Sequence, residues 1–337
     1  MLMRDRVEII AEVGVNHNGK IDLAKELIDA AVDSGADTVK FQCFSAEEIA
    51  TKISGKAPYQ SRATQGDESQ QEMLRQYEFN PDQWLELRRY CDSRNIKFLS
   101  TAFDISSIDF LSTLGQDRFK VPSGEINNFP YLKHIGRYRY PVLLSTGMSS
   151  MEEVGDAIQI LEGQGVKRDQ ITVLHCTSQY PAPMLGVNLL AMQAIKASFG
   201  VRVGYSDHTQ GVEVSVAAVA LGAKVIEKHL TLNQCMNGPD HKASLEPEGF
   251  RSMVTAIRNT EVALGDGIKR LMECEVENLI AARKSIVARK TIHCGEKFSE
   301  NNLCVKRPGS GVSPNRWDEV IGSVALKQFE ADELIEL

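Results

Sequence analysis

No two cysteines in this chain stand at CxxC spacing, and the seven that occur (Cys43, Cys91, Cys176, Cys235, Cys274, Cys294 and Cys304) are an odd number. That argues against a disulfide framework and a Cys-based zinc site, and for free thiols in a reducing compartment. No apolar run approaches the roughly 20 residues of a membrane span. The opening stretch "MLMRDRVEIIAEVG" has no signal-peptide pattern, because Glu8 and Glu12 interrupt its apolar run. A large excess of charge of one sign is also missing. The net charge is -7 and basic residues are dispersed, so no nucleic-acid footprint is visible. A cytoplasmic protein with no nucleic-acid or membrane partner is expected. Internal repeats and low-complexity tracts are missing, and no GxGxxG follows the first apolar run, which weakens a dinucleotide-binding reading.

What is present is alternation. Eight short apolar runs recur, "VEIIAEVG", "DTVKFQCF", "KFLSTAF", "RFKVPSG", "PVLLSTG", "ITVLHCT", "VRVGYSDH" and "AKVIEKHLT", with helical stretches between them. Ala24, Leu27, Ile28 and Ala31 share one face before Gly35. Ser150 and Glu153 have capping-box spacing, and Phe250, Met253, Val254 and Ile257 mark a last amphipathic helix. Eight strand-like runs ending near residue 264 predict an α/β fold, a (β/α)8 TIM barrel over 1–264. An open doubly wound sheet is the alternative. A partly helical linker is expected over 265–284 and a small β-rich domain over 285–337, where "SIVARKTIHCGEKFSENNLCVKRPGSGVSP" has short runs with Gly and Pro punctuation. The polar stretch "KAPYQSRATQGDESQQEM" between the second and third strands is too long for plain connection and predicts a lid or binding loop.

In such a barrel the chemistry collects at the C-terminal strand ends. Polar residues crowd those ends here: Glu12, Asn16 and His17; Lys40 and Gln42; Ser100 and Thr101; Lys120, Ser123 and Glu125; Ser145 and Thr146; His175, Thr177, Ser178 and Tyr180; Ser206, Asp207 and His208; and His229. Two lysines inside apolar runs, with hydroxyls around them, point to a phosphate or carboxylate site, since lysine seldom goes inside unpaired. The bland alternative is solvated surface lysines. His208 and His229 close consecutive runs and could share a metal, but could equally be two hydrogen-bonded histidines; His17 and His175 also stand at strand ends. Glu12, Glu125 and Asp240 are candidate acid/base groups or partners for the lysines.

At these residues the sequence resembles the sialic acid synthases, the bacterial enzymes that make N-acetylneuraminate, legionaminate and related sugars. The resemblance is carried by "AEVGVNHNG", "VKFQCF", "FKVPSGEINNFPYL", "LSTGM", "YSDHT", "IEKHLT", "GPDHKASLEP" and "VKRPGSG", and the C-terminal part resembles the antifreeze-like (SAF) domain. It implies condensation of phosphoenolpyruvate with an open-chain N-acetylmannosamine-type sugar, metal-dependent, with phosphate lost by C–O cleavage. It implies a divalent metal, Mn2+ before Mg2+ or Co2+, on His208 and His229. It places phosphoenolpyruvate on Lys40, Thr101, Lys120, Ser123 and Ser206. Ser178 stands where some members have Asn, so its phosphate contact is an open expectation. Gln42, Tyr180 and Asp240 would contact the sugar, Glu12 and Glu125 would stand nearest the reacting carbons, and His17 would shape the site. Arg307 would reach the sugar's N-acyl group from the small domain, which in this family caps the partner's barrel in a swapped homodimer. Ala102 in "STAFD" departs from the frequent "STPF". The resemblance supports N-acetylneuraminate synthesis first, with a legionaminate synthase using 2,4-diacetamido-2,4,6-trideoxymannose as the alternative. A different metal-dependent barrel aldolase and a carbohydrate-binding protein remain as rivals from other classes.

Overall fold

The computed structural model describes residues 6–63 and 68–337. Two compact units divide between Gly265 and Asp266. In the first, eight parallel strands close in sequence order into a barrel: β1 (Glu8–Gly14), β2 (Thr38–Cys43), β3 (Lys97–Ala102), β4 (Phe119–Val121), β5 (Val142–Ser145), β6 (Ile171–Cys176), β7 (Arg202–Asp207) and β8 (Val225–His229). This is the expected TIM barrel. Its strands are almost wholly buried, as strands covered on both faces must be; most are runs of apolar residues, while β8, VIEKH, buries three titratable side chains.

The intervening helices form where the sequence signals them. The helix Ile21–Asp33 buries Ala24, Leu27, Ile28 and Ala31, and Gly35 follows in the left-handed region at φ +83. The helix Met151–Gly163 begins with a complete capping box, Ser150 N donating to Glu153 Oε2 at 2.8 Å and Glu153 N to Ser150 Oγ at 3.3 Å. The last barrel helix, Pro247–Ala263, buries Phe250, Met253, Val254 and Ile257.

Inside the barrel, two layers sit beneath the rim. At the bottom, Arg118 forms a bidentate pair with Glu8, both N···O distances 2.7 Å, and the guanidinium holds the Glu8 carboxyl below its ordinary value against the cost of burial. Above it, Ile10, Leu99, Leu143, Leu174 and Val225 pack as an aliphatic plug. Gly204 belongs to this layer by necessity: a Cβ there would lie 2.5 Å from Val225 O and 2.6 Å from Leu174 Cδ2.

The β2–β3 connection, expected as a lid, carries the short helices Ala46–Ile49, Pro58–Ala63 and Gln70–Arg75. Residues 64–67 of the expected lid lie outside the described residues. The connection has an apolar cluster of its own, Val15, Phe44, Met73 and Tyr77, which composition had concealed.

In the second unit, β9 (Ser285–Ala288) pairs antiparallel with β10 (Leu303–Lys306). Isolated bridges such as Ile292 with Phe329 extend it, over a core that includes Ile286, Phe298, Val320 and Phe329. Residues of the expected linker, including the helix Val276–Ala282, group with this unit. All seven cysteines are free. Among the described residues no helix is long and apolar enough to cross a membrane.

Candidate active site

The register of the parallel strands assembles the site. Side chains two apart on a strand share a face, so Lys40 and Gln42 point into the barrel together, as do Glu227 and His229. Across strands, Glu12 stands opposite His229 on one side and Lys40 on the other; Gln42 pairs with Thr101, and Thr101 with Lys120. A continuous polar arc therefore runs from β8 through β1, β2 and β3 to β4, directly above the aliphatic plug. It lines a cavity of about 580 Å3 that also includes Ser123, Glu125, Ser178, Tyr180, Ser206 and Asp240.

Both lysines are buried, 3% and 4% exposed, and both are paired. Lys40 Nζ contacts Glu12 Oε2, donates to Thr101 Oγ1 at 2.9 Å and lies 3.7 Å from Glu227 Oε2. Lys120 Nζ donates to Glu227 Oε1 at 3.1 Å, and Ser206 Oγ donates to the same oxygen at 2.7 Å. Glu227 was not singled out in the sequence. It stands between Ile226 and Lys228, and only the two-residue alternation with His229 marks it as inward-facing. Its neighbours separate by the same rule: Lys228 turns outward, wholly buried, to meet Asp207 at 2.9 Å. Asp207 also accepts from Thr209 and Ser215, so this strand-end carboxylate is tied up beneath the helices.

The cavity's carboxylates differ. Burial pushes Glu12 up to about 7, with Lys40 opposing and the neighbouring Glu227 charge adding. Glu227, equally desolvated, is held well below the ordinary range by Lys120 and Lys40 together and by the Ser206 hydroxyl. Asp240 is pushed up to about 6 by burial. One cavity thus offers a firmly ionised carboxylate and two that hold protons closer to neutrality. Glu125, half-buried at the end of β4, accepts from Asn128 Nδ2 at 2.6 Å.

A second group of donors forms where β4, β5 and β6 end. Gly147 N donates to Ser123 Oγ at 3.0 Å, and a Cβ on Gly147 would lie 2.1 Å from Ser178 Oγ and 2.9 Å from Ser123 Oγ. Only glycine lets the backbone come this close to both hydroxyls.

His208 and His229 come together, with ring centroids 5.6 Å apart and the Tyr180 ring against both, at 4.2 and 5.7 Å. Burial lowers His208 to about 4 and His229 well below its ordinary value, so both rings are neutral at pH 7. His208 Nδ1 donates to Thr177 O at 2.7 Å, which leaves its Nε2 lone pair toward the cavity. His229 Nδ1 is buried without a hydrogen bond, 3.9 Å from Asp240 Oδ2. Two neutral imidazoles with an uncommitted buried nitrogen suit a divalent ion whose remaining positions are open to water or substrate. Among the described residues no group of three His, Cys, Asp or Glu side chains is arranged as a closed metal cage.

The other strand-end histidines separate from this pair. His17 stacks on Phe79 at 4.2 Å and accepts from Gly19 N at 3.1 Å, and His175 Nε2 bonds Val187 O at 2.8 Å. Arg307 belongs to the second unit, where its Nε donates to Ala282 O at 3.0 Å.

Comparison with known proteins supplies a lineage. The NeuB family model matches residues 27–269 and the SAF domain model residues 283–336. The chain is 52% identical to the N,N'-diacetyllegionaminic acid synthase of Campylobacter jejuni, over 97% of this chain and 98% of that one. It is 44% identical to the N,N'-diacetyllegionaminic acid synthase of Legionella pneumophila, over 94% and 89%. Its structure resembles that of an N-acetylneuraminic acid (sialic acid) synthetase from Leptospira borgpetersenii, with a TM-score of 0.72, 32% identity, and coverage of 81% of this chain and 90% of that one.

Proposed function

The chain belongs to the NeuB family of sialic and legionaminic acid synthases, and we propose that it condenses phosphoenolpyruvate with the open-chain aldehyde of an N-acetylmannosamine-type sugar. The observation that carries this reading is the pair of buried lysines, sharing the Glu227 carboxylate, directly beside two neutral imidazoles on one barrel rim.

Lys40 and Lys120 supply the charge for the carboxylate and phosphate of phosphoenolpyruvate, and Thr101, Ser206, Ser123 and Ser178 supply directed donors around it. Gln42, Tyr180 and Asp240 face the sugar. The third carbon of phosphoenolpyruvate forms a bond to the aldehyde carbon, and the aldehyde oxygen takes up a proton. Glu12, which holds a proton near neutrality, donates it. Water then adds at the second carbon. Glu125, entering from β4 across the barrel from β1, accepts the proton from that water. The bond between the second carbon and the bridging oxygen breaks, the oxygen leaves with phosphate, the new hydroxyl passes its proton to the departing phosphate, and a keto acid remains. A divalent cation held by His208 and His229, Mn2+ before Mg2+ or Co2+, would supply Lewis-acid polarisation of the sugar carbonyl. Arg307 is assigned to the sugar's N-acyl group, delivered from the partner of a swapped homodimer.

For the acceptor, the two N,N'-diacetyllegionaminic acid synthases at 52% and 44% identity support the second of the two sugars expected from sequence, 2,4-diacetamido-2,4,6-trideoxymannose. The test is phosphate release from phosphoenolpyruvate with Mn2+, comparing that sugar with N-acetylmannosamine at equal low concentration. Release with the diacetamido sugar at the higher kcat/KM is expected. Release with N-acetylmannosamine alone overturns the acceptor, and release with neither overturns the reaction. Arg307→Ala should raise the sugar's KM much more than it raises that of phosphoenolpyruvate; if both are unchanged, its role is removed.

A further inference from the structure

The cavity is polar at its floor and apolar at one wall. Lys40, Gln42 and Phe44 follow one another at two-residue spacing on β2 and its extension, so the cavity's character changes with height. At about 3.3 Å per residue, Phe44 stands about 13 Å above Lys40 along the strand. Around Phe44 the connection between β2 and β3 builds its own cluster. Phe44 and Met73 are the more buried, 9% and 1% exposed. Ile49, Leu74 and Phe103 pack against them, only half-buried, and all five line the cavity. Phe103 meets Phe44 edge-on, with centroids 6.3 Å apart. Nearby amides are engaged with one another: Gln60 Oε1 accepts from Ala57 N at 2.9 Å and from Gln70 Nε2 at 3.2 Å.

The reaction proposed above sets the sugar's aldehyde over the lysines and its far end along this wall. We propose that Ile49, Leu74 and Phe103 select the acceptor by the substituent on its sixth carbon, favouring a methyl over a hydroxymethyl group. This rests on the reading of the reaction given above, because that reading orients the sugar. The physical reason is desolvation. A methyl leaves water for an apolar surface at no cost in hydrogen bonds, whereas a hydroxyl facing Leu74 and Phe103 gives up its water partners without replacement. An apolar pocket discriminates by a limited factor, about tenfold to a hundredfold for one hydroxyl.

The experiment uses the full-length protein with Mn2+ and two sugars that differ only at this carbon, 2,4-diacetamido-2,4,6-trideoxymannose and its 6-hydroxy counterpart, 2,4-diacetamido-2,4-dideoxymannose. Phosphate release gives the ratio of kcat/KM values, and calorimetry gives the ratio of affinities. The wild type should favour the 6-deoxy sugar by about tenfold or more in both. Leu74→Gln should bring the ratio close to one while the KM for phosphoenolpyruvate stays within twofold. Phe103→Tyr, which keeps the ring and adds a single hydroxyl, should lower the ratio in the same direction and serves if Leu74→Gln does not fold. If phosphate is released but the ratio is the same in wild type and variants, the wall has no selective role and the reaction stands. If no sugar releases phosphate, yet the 6-deoxy preference in binding is present and lost in the variants, the wall's role stands and the reaction does not. If neither sugar binds or reacts, both are overturned.

Discussion

Glu227 on β8 holds its carboxylate between two ammonium groups, one from β4 and one from β2, 3.1 Å from Lys120 Nζ and 3.7 Å from Lys40 Nζ. The carboxylate is the main counter-ion of Lys120 and shares Lys40 with Glu12. Glu227→Ala leaves the buried charge uncompensated, and removing one member of such a group costs about 3–5 kcal/mol. A fall of that size in urea stability is expected. An unchanged urea midpoint would mean that water compensates the lysines and that the network contributes little to the fold.

Glu12 is assigned as the acid that protonates the sugar oxygen. Its carboxyl is raised to about 7 by burial, so its protonated form is populated below that pH and lost above it. The rate kcat should therefore fall as pH rises through about 7. In Glu12→Gln that limb should vanish and kcat should fall by about 10²–10⁴, with no rise in the KM for phosphoenolpyruvate, since the substitution removes a negative charge. A Glu12→Gln enzyme with wild-type kcat would remove the assignment.

The imidazole pair predicts metal dependence with a direct readout. Calorimetric binding of Mn2+ should be lost in His208→Ala and in His229→Ala, with circular dichroism unchanged. EDTA-treated wild type should be inactive until a divalent ion returns. Tight Mn2+ binding by the double variant would place the metal elsewhere.

His17 tests the fold alone. Burial beside Phe79 lowers its pKa to about 3, so it stays neutral in the folded protein and takes up a proton on unfolding. The unfolded chain then binds more protons below about pH 6.5, and folding stability falls as pH drops from there toward 3, at about 1.4 kcal/mol per pH unit for this one residue. His17→Phe should show a shallower acid limb in urea midpoints measured from pH 7 to pH 4. A limb of equal slope would exclude His17 as its source.

The barrel was legible because most of its strands are apolar runs set off by polar strand ends, and because helix faces such as Ala24, Leu27, Ile28 and Ala31 keep their period. The convergence of Lys40, Lys120, His208 and His229 followed once eight parallel strands were counted, since all stand at the same ends. Glu227 was not read. In "VIEKHLT" three consecutive titratable residues divide between two faces, and nothing in their types says that Glu227 and His229 face the cavity while Lys228 faces Asp207. Strand parity carries that information, and applying it from His229 backward would have found Glu227. The apolar wall was hidden for a different reason. Phe44, Ile49, Met73 and Leu74 are scattered through a stretch dominated by polar residues, and only the three short helices bring them side by side. Arg307 shows the opposite limit: its local bond to Ala282 says nothing of a ligand, and the role proposed for it depends on a second chain.

The aliphatic plug of Ile10, Leu99, Leu143, Leu174 and Val225 gives the cavity above it a floor. Traffic through the barrel is thereby closed, and entry and exit share the upper end. In a vessel with one opening, depth becomes sequence: under the proposed reaction, the reactant placed beside Lys40 and Lys120 has to arrive before the one placed above it, and is trapped once its co-reactant is seated. Order of addition, ordinarily a matter for kinetics, is here a matter of which guest stands nearer the door.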